Sequence, residues 1–483
     1  MARREPEPST ASRGASGDDP GAAASSIDYG KTAGFLSVGV GLTGIITYAY
    51  FAIAAHVLGK HDYGQVAVLW SAVFIIVSTL YRPIDQLLSR HVSERLALGQ
   101  PVGEPMRVAA RIQLGLALAF AVLALALRGP LQDDLLEGNE TLYWVLFSSV
   151  LAYAASYYAR GYLAGVRRFG LFSALILTES IFRTSFAVVV AVGLFSGQSV
   201  VALGIVAAPF LSLMVVPFAF SRRAEAQPDA DPPLPAGGAE DGGGSDAVAP
   251  AFTMAHGAGF AAAVLVIMFS EQVFLNAGPL LIRATEGAAL AGFIFNVLMV
   301  ARAPLQLFQA VSTSLLPHLT NLHHREDEGS GAEFQHSIRI VLGAIVAFTA
   351  VVALAILIAG PQLMQAAWSK KFSYERIDLL IVAAGMGLYL AAVTLNQAAL
   401  AQGQVRRASI RWIACAAGFV GWNLLPWIEP VTRVEVGFTV TAATLCGLLY
   451  LVYRRPVERA EDVIDPGSTR ELEAQLAAAD EGT

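Results

Sequence analysis

The sequence predicts an all-α polytopic membrane protein, with about twelve transmembrane helices in two six-helix lobes. Hydrophobic residues make up 55% of the 483 residues, and the mean hydropathy is +0.56. Charged residues make up only 14% of the chain, whereas soluble domains carry about 25%. The apolar residues also recur in segments of about 20 residues, the length at which an α-helix crosses the hydrocarbon core.

Twelve apolar segments are long enough to be spanning helices. In chain order they are Ala33–Val57, Gln65–Leu88, Val108–Leu127, Thr141–Leu163, Leu171–Phe195, Val200–Phe220, Gly257–Ile282, Ala288–Pro317, Ile338–Ile358, Ile377–Leu400, Ser409–Pro426 and Val436–Tyr453. The two cysteines, Cys415 and Cys446, lie inside two of these segments. We expect them to be small apolar fillers, because their number and spacing suit neither a disulfide framework nor a zinc site.

The distribution of Lys and Arg predicts the orientation of these spans. With the N-terminus in the cytoplasm, alternate connections hold 22 Lys and Arg residues on the inside and 7 on the outside. Cytoplasmic connections of membrane proteins carry the excess of positive residues. The bias therefore predicts a multi-pass protein of the cytoplasmic membrane with both termini inside.

The longest connection, residues 221–256, predicts the division of the chain. It is rich in Gly, Pro and Asp, a composition typical of a flexible linker. It separates a first lobe at residues 31–220 from a second lobe at residues 257–455, and polar cytoplasmic tails occupy residues 1–30 and 456–483. Because each lobe has six spans, both enter the membrane in the same direction, as in parallel-repeat transporters.

Six ionisable residues fall at bilayer depth, where a charge costs roughly 2.5–3.5 kcal/mol on insertion scales. These residues are Arg82, Asp85, Glu179, Arg183, Glu271 and Arg302. Arg82 and Asp85 are three residues apart, and Glu179 and Arg183 are four apart, so each pair can either neutralise itself on one helix or line a cavity.

Glu271 and Arg302 have no partner at helical spacing on their own spans. We expect them to face one another or a common aqueous cavity, and a structural salt bridge between helices is the alternative. Asn296 and Gln306 share a predicted span with Arg302. They are further candidates for a polar cavity.

Several kinds of chemistry are absent from the sequence. No Walker loop, H-E-x-x-H or C-x-x-C motif occurs, so we expect no ATP, metal or other cofactor, and no enzymatic activity. A membrane-embedded glycosyl- or acyltransferase would need a cluster of acids or histidines in a large loop. The long inside connection carries no such cluster, which disfavours that class.

Two short motifs carry a resemblance to a known family. The first span ends in Leu58–Gly59, and Tyr63–Gly64 follows across a short turn, while the eighth span ends in Ser314–Leu315–Leu316–Pro317. With the twelve-span plan, these segments resemble the Wzx-type polysaccharide flippases of the multidrug/oligosaccharidyl-lipid/polysaccharide (MOP) exporter superfamily. The plan matches over nearly the whole chain, and the motifs cover much less of it.

The resemblance implies a MATE-like fold and a transporter that flips a polyprenyl-linked oligosaccharide, the precursor of a cell-surface polysaccharide, by alternating access. It also implies cationic cavity residues that meet the pyrophosphate of the substrate. No motif of the family assigns those residues here, so they are predicted on physical grounds. The substrate-binding candidates are Arg82, Arg183, Arg302, Gln306 and Asn296.

The acidic residues at bilayer depth point to an alternative. Asp85, Glu179 and Glu271 are candidates for ion coupling, either in a flippase or in an ion-coupled exporter of small amphipathic molecules of the multidrug and toxin extrusion type. The expected partners are a lipid-linked sugar, membrane lipid, and the polysaccharide polymerase and glycosyltransferases of the same pathway. Nucleic acid is not expected.

Overall fold

The computed structural model describes residues 20–217, 254–299, 302, 330–372, 374–426 and 428–454. Side chains are described from residue 38 onward in the range 20–217, from residue 262 in the range 254–299, and from residue 335 in the range 330–372. Apart from its turns, this part of the chain is helical. It confirms the predicted all-α membrane fold.

The first lobe contains seven helices, because the second predicted span is divided in two. They are α1 (Pro20–Val57), α2 (Lys60–Leu80), α3 (Arg82–Ala97), α4 (Gly103–Ala126), α5 (Glu140–Gly165), α6 (Phe169–Ala191) and α7 (Gln198–Ser212). A π-helical turn at Pro130–Leu135 joins α4 to α5, and a 3-10 turn at Leu213–Val215 follows α7.

Six helices lie in the described part of the second lobe. They are α8 (Met254–Glu286), α9 (Ala288–Met299), α10 (Ser330–Trp368), α11 (Arg376–Ala401), α12 (Val405–Leu424) and α13 (Pro430–Arg454). Gln306 and the Ser314–Pro317 motif lie outside the described residues, as do most of the predicted linker and tails. The predicted domain boundaries stay predictions.

All twelve predicted spans coincide with helices where the structure describes them. Among the described residues, nine helical segments are long and apolar enough to cross a membrane, and α2 and α3 together form one of them. The helix α9 is described over only part of its predicted span. The other two, α5 and α12, fall outside the nine because their sequences carry more polar residues.

The break between α2 and α3 lies at Tyr81, which has φ −108° and ψ −27°. Pro83 follows in the first turn of α3. Its ring removes one backbone donor and favours the start of a new helix. The helix α2 packs on α8 of the second lobe and also on α5 and α7 of its own lobe, whereas α3 packs on α5 and α4 of its own lobe.

The lobes meet closely where α2 begins. A Cβ atom added to Gly64 would overlap the backbone carbonyl of Ala288, and one added to Gly292 would lie 2.9 Å from Gly64 Cα. Only glycine lets the backbones of α2 and α9 approach this closely. Gly64 belongs to the motif that carries the family resemblance, so the structure gives that motif a physical role.

Six connections lie together at one end of the molecule. They are the connections α1–α2, α4–α5, α6–α7, α8–α9, α10–α11 and α12–α13, joined by ion pairs and hydrogen bonds. These are the six connections that the charge bias predicts to be outside. Their convergence supports the alternation of twelve spans, and we call this end the predicted outer end.

Candidate functional site: a polar cavity between the lobes

A cavity of about 330 Å³ lies between the two lobes. Its wall combines charged, amide, hydroxyl and aromatic side chains from α1, α2, α3, α8, α9 and α11. The lining residues are Thr47, Tyr48, Trp70, Phe74, Ser78, Arg82, Glu271, Gln272, Leu275, Asn276, Met299, Arg302, Tyr389, Val393 and Gln397. Polar groups converge here at bilayer depth, which is the usual mark of a substrate pathway.

Arg82 and Glu271 form an ion pair across the lobe interface. Arg82 Nη1 lies 3.9 Å from Glu271 Oε2, and the two side chains are 42% and 18% exposed. This distance is at the limit of a contact pair, and Arg82 retains donors that face the cavity. The pair joins the first turn of α3 to the middle of α8.

Arg302 is the cavity cation without a carboxylate partner among the residues that the structure describes. Its Nη1 atom lies 4.0 Å from Met299 Sδ. Its Nε and Nη2 atoms are buried and have no hydrogen-bond partner there. Buried donors left unpaired are costly, and a guanidinium presents them in a fork that fits phosphate or carboxylate. Arg302 is therefore arranged to receive an anion.

The remaining wall is aromatic and amide. Trp70 and Phe74 stack with their ring centroids 4.0 Å apart. Gln272 accepts a hydrogen bond of 3.0 Å from Asn276 Nδ2. Aromatic faces and side-chain amides together suit a ligand with both apolar and hydroxyl surfaces.

Arg183 and Glu179 lie behind this wall, inside the first lobe. Arg183 Nη2 donates to Glu179 Oε1 at 2.6 Å, and Arg160 pairs with the other carboxylate oxygen. Tyr153 Oη donates to Glu179 at 2.8 Å. The Arg183 guanidinium lies 4.6 Å from the centroid of Trp70, so the indole ring stands between it and the cavity.

The other predicted site residues lie elsewhere. Asp85 is one turn from Arg82 but does not line the cavity, and its backbone packs against Gly161 of α5. Asn296 lies at the predicted outer end, where it accepts a hydrogen bond from Tyr63 and donates one of 3.0 Å to Tyr374 Oη. Of the predicted candidates, the structure thus brings Arg82, Glu271 and Arg302 together.

A cluster of polar contacts, which we call the polar seal, joins the two lobes at the predicted outer end. Glu137 is its centre, in a left-handed conformation with φ 56°. Its carboxylate accepts a hydrogen bond of 2.6 Å from Gln65, contacts His61 Nε2 at 2.5 Å, and pairs with Arg283 of the second lobe at 3.2 Å. Arg283 also donates to the carbonyl of Asp134 at 2.9 Å.

A second contact across the lobes lies beside this seal. Lys371, in the connection before α11, donates to the carbonyl oxygens of His56 and Leu58 at 3.0 and 2.9 Å. These carbonyls lie at the C-terminal end of α1, where backbone acceptors lack helical partners. A cation from one lobe thereby caps a helix of the other.

The sequence matches no family model and no curated protein. Solved structures do resemble the chain. An inward-facing conformation of a multidrug resistance MATE family transporter of the MOP superfamily superimposes with a TM-score of 0.64, at 10% identity over 87% of this chain and 97% of that one. The chain has the MATE fold.

Two further MATE structures extend this comparison. MATE in the bent conformation gives a TM-score of 0.57 at 11% identity, over 88% of this chain and 94% of that one. An outward-facing conformation of a MATE family transporter of the MOP superfamily gives 0.52 at 13% identity, over 88% and 95%. At these identities the likeness shows the MATE fold and leaves the substrate open.

Some residues of this MATE-fold cavity were not predicted from the sequence. Tyr389, Trp70 and Phe74 are aromatic residues on apolar helices, and nothing in the sequence separates them from core aromatics. Gln397 is a single amide in a span, which is more often a helix–helix contact than a ligand contact. The positions of Gln272 and Asn276 close to Glu271 in the sequence are the one feature that indicates these two amides as cavity residues.

Proposed function

We propose that this chain is a transporter that flips a polyprenyl-linked oligosaccharide across the cytoplasmic membrane by alternating access. The observation that carries the proposal is Arg302, a cavity cation whose Nε and Nη2 atoms have no described partner. A lipid-linked sugar brings a pyrophosphate to such a site, and phosphate accepts bidentate hydrogen bonds from guanidinium.

The rest of the cavity fits the other parts of such a substrate. Asn276, Gln272 and Gln397 offer amides to sugar hydroxyls, and Trp70 offers a ring face on which a sugar can stack. The lipid tail stays in the bilayer in this proposal. The cavity therefore needs to hold only the head group.

Alternating access follows from the closed outer end. Glu137, Arg283 and Lys371 join the lobes on that side, while the side chain of Arg82 in the cavity is 42% exposed. Rocking of one lobe against the other would break these contacts and expose the cavity to the opposite side. Arrival of phosphate at Arg82 would compete with Glu271, which frees that carboxylate to bind a coupling ion.

A second candidate is an ion-coupled exporter of small amphipathic molecules. Glu271 together with Tyr48, Trp70, Phe74 and Tyr389 could surround an organic cation. One of the similar solved structures is described as a multidrug resistance MATE family transporter. The two candidates differ in which charge of the cavity is used, since the exporter depends on Glu271 and the flippase on Arg302.

The test is the accumulation of lipid-linked oligosaccharide on the cytoplasmic side of cells that lack the chain. We expect the wild type and the exposed-surface control Arg111→Ala to clear the intermediate, and Arg302→Ala to fail at equal expression. Absence of any accumulation would remove the flippase proposal. Efflux of organic cations that requires Glu271 but not Arg302 would establish the exporter instead.

A further inference from the structure

Glu435 is a buried carboxyl that the proposed function does not use. It lies in the second turn of α13 and is only 1% exposed. Neither of its carboxylate oxygens has a hydrogen-bond partner among the described residues. Buried carboxylates in proteins are normally paired with a cation or with several donors. Glu435 has neither in this part of the structure.

The contacts of α13 show where Glu435 points. Thr439, one turn further along, donates to the carbonyl of Ile381 at 2.8 Å and packs against Gly385 of α11. Residues four apart share a helix face, so Glu435 also faces α11. There it meets the first turn of α11, which carries Asp378.

The charges that act on Glu435 from the neighbouring segments are negative. Asp378 and Glu375 come from the start of α11, and Glu429 comes from the turn before α13. The helix α12 brings the neutral side chains of Trp422 and Asn423 to this part of α13. The cation nearest to Glu435 in sequence is Arg433, and its side chain points away from Glu435.

Arg433 turns toward α8. Its Nη1 atom donates to the carbonyl of Leu425 at 3.3 Å, and its Nη2 atom contacts Thr285 at 3.5 Å and Glu286 at 3.7 Å. Glu435 is therefore surrounded by acids, and burial also disfavours its charged form.

We propose that Glu435 is a proton-binding site of the second lobe, loaded from the predicted outer end. It carries a proton in this outer-closed arrangement, and Asp378 passes the proton between Glu435 and the exposed Glu375 and Glu429 at the surface. When Glu435 loses the proton, its negative charge faces Asp378 and the first turns of α11 and α13 repel one another.

This loss of a proton reaches the seal through α8. Arg433 contacts Glu286 in the last turn of α8. Arg283 of the seal lies in the same turn, three residues before Glu286. Movement of α13 therefore shifts the segment that bears Arg283. This coupling step rests on the proposed transport function, whereas the protonation of Glu435 does not.

Infrared spectroscopy of the full chain, in a detergent without ester or carboxyl groups, tests the protonation directly. A protonated carboxyl has a carbonyl stretching band that carboxylates lack. We expect the spectrum of the wild type minus that of Glu435→Gln to show this band at neutral pH, and the spectrum of the wild type minus that of Glu104→Gln, an exposed control at the other end of the molecule, to lack it. A folded Glu435→Gln variant with the same band intensity as the wild type would overturn the proposal.

Accessibility of the cavity tests the coupling step. In a background with Cys415→Ser and Cys446→Ser, the variant Val393→Cys places one thiol in the cavity. Because only the thiolate reacts and its fraction rises with pH, the rate is divided by that of free cysteine with the same impermeant reagent added outside. We expect this ratio to rise with the outside pH, and the rise to vanish with Glu435→Gln. Unchanged pH dependence in that variant would refute the coupling while the infrared result stands by itself.

Discussion

Arg283 of the second lobe and Glu137 of the first lobe form an ion pair of 3.2 Å that joins the lobes at the predicted outer end. Their side chains are 13% and 26% exposed, so the pair is partly exposed to solvent. Gln65 and His61 also contact the Glu137 carboxylate. All three contacts of the seal are made by Glu137, so a substitution of Glu137 tests the seal.

Glu137→Gln is expected to shift the chain toward an outer-open conformation. The variant loses the charge that attracts Arg283, which for a partly exposed pair is about 1 kcal/mol, or roughly fivefold in the ratio of open to closed molecules. Labelling of Val393→Cys from outside measures this ratio. Glu140→Gln is the matched control, because Glu140 pairs with Arg128 inside the first lobe; equal labelling in both variants would contradict the role of the seal.

Arg302 is expected to bind phosphate through its fork of donors rather than through charge alone. Arg302→Ala should weaken the binding of a polyprenyl diphosphate to the purified chain by about 10- to 100-fold, since hydrogen bonds to charged groups contribute about 1.5–3 kcal/mol. Arg302→Lys should recover only part of this affinity, because lysine lacks the bidentate geometry. Calorimetry in detergent measures both, and wild-type affinity in the alanine variant would remove Arg302 from the site.

Gly64→Ala is expected to prevent full closure at the outer end, because the new methyl group would overlap the carbonyl of Ala288. Gly59→Ala is a matched control five residues earlier, where an added Cβ meets nothing within 4 Å. Thiol labelling in the cavity should rise in the first variant and stay at the wild-type level in the second. The same increase in both would mean that the effect is not the contact with α9.

Glu179→Gln separates a structural role from ion coupling. In the structure Glu179 pairs with both Arg183 and Arg160, and removal of one partner of a buried pair costs about 3–5 kcal/mol. We expect a large loss of thermal stability in detergent, with transport lost only in proportion to folded protein. Normal stability with complete loss of transport would instead support Glu179 as a coupling residue.

The twelve spans were predictable from the sequence because the bilayer imposes a length and an apolar composition on every helix that crosses it. The division of the second span at Tyr81 was not predicted, since Pro83 can equally bend a continuous helix. The pairing of Glu179 with Arg183 followed from helical spacing. The pairing of Arg82 with Glu271 did not, because it joins two lobes.

The cavity was predictable only in part for the same reason. Glu271 and Arg302 stood out because a charge at bilayer depth needs an explanation. Tyr389 and Trp70 carry no such signal, and their placement depends on how α2 and α11 approach one another. The seal at Glu137 depends on a loop with a left-handed residue, which helical periodicity does not address.

The break at Tyr81 lets the two halves of the second span pack on different parts of the molecule. Its first half, α2, packs on α8 of the opposite lobe as well as on its own lobe, and its second half, α3, packs on α5 and α4 of its own lobe. Arg82 stands at the joint between them and faces Glu271. A rotation of one lobe against the other would bend the span at this joint and move the guanidinium of Arg82. The charge that faces the cavity would therefore change together with the opening of the protein.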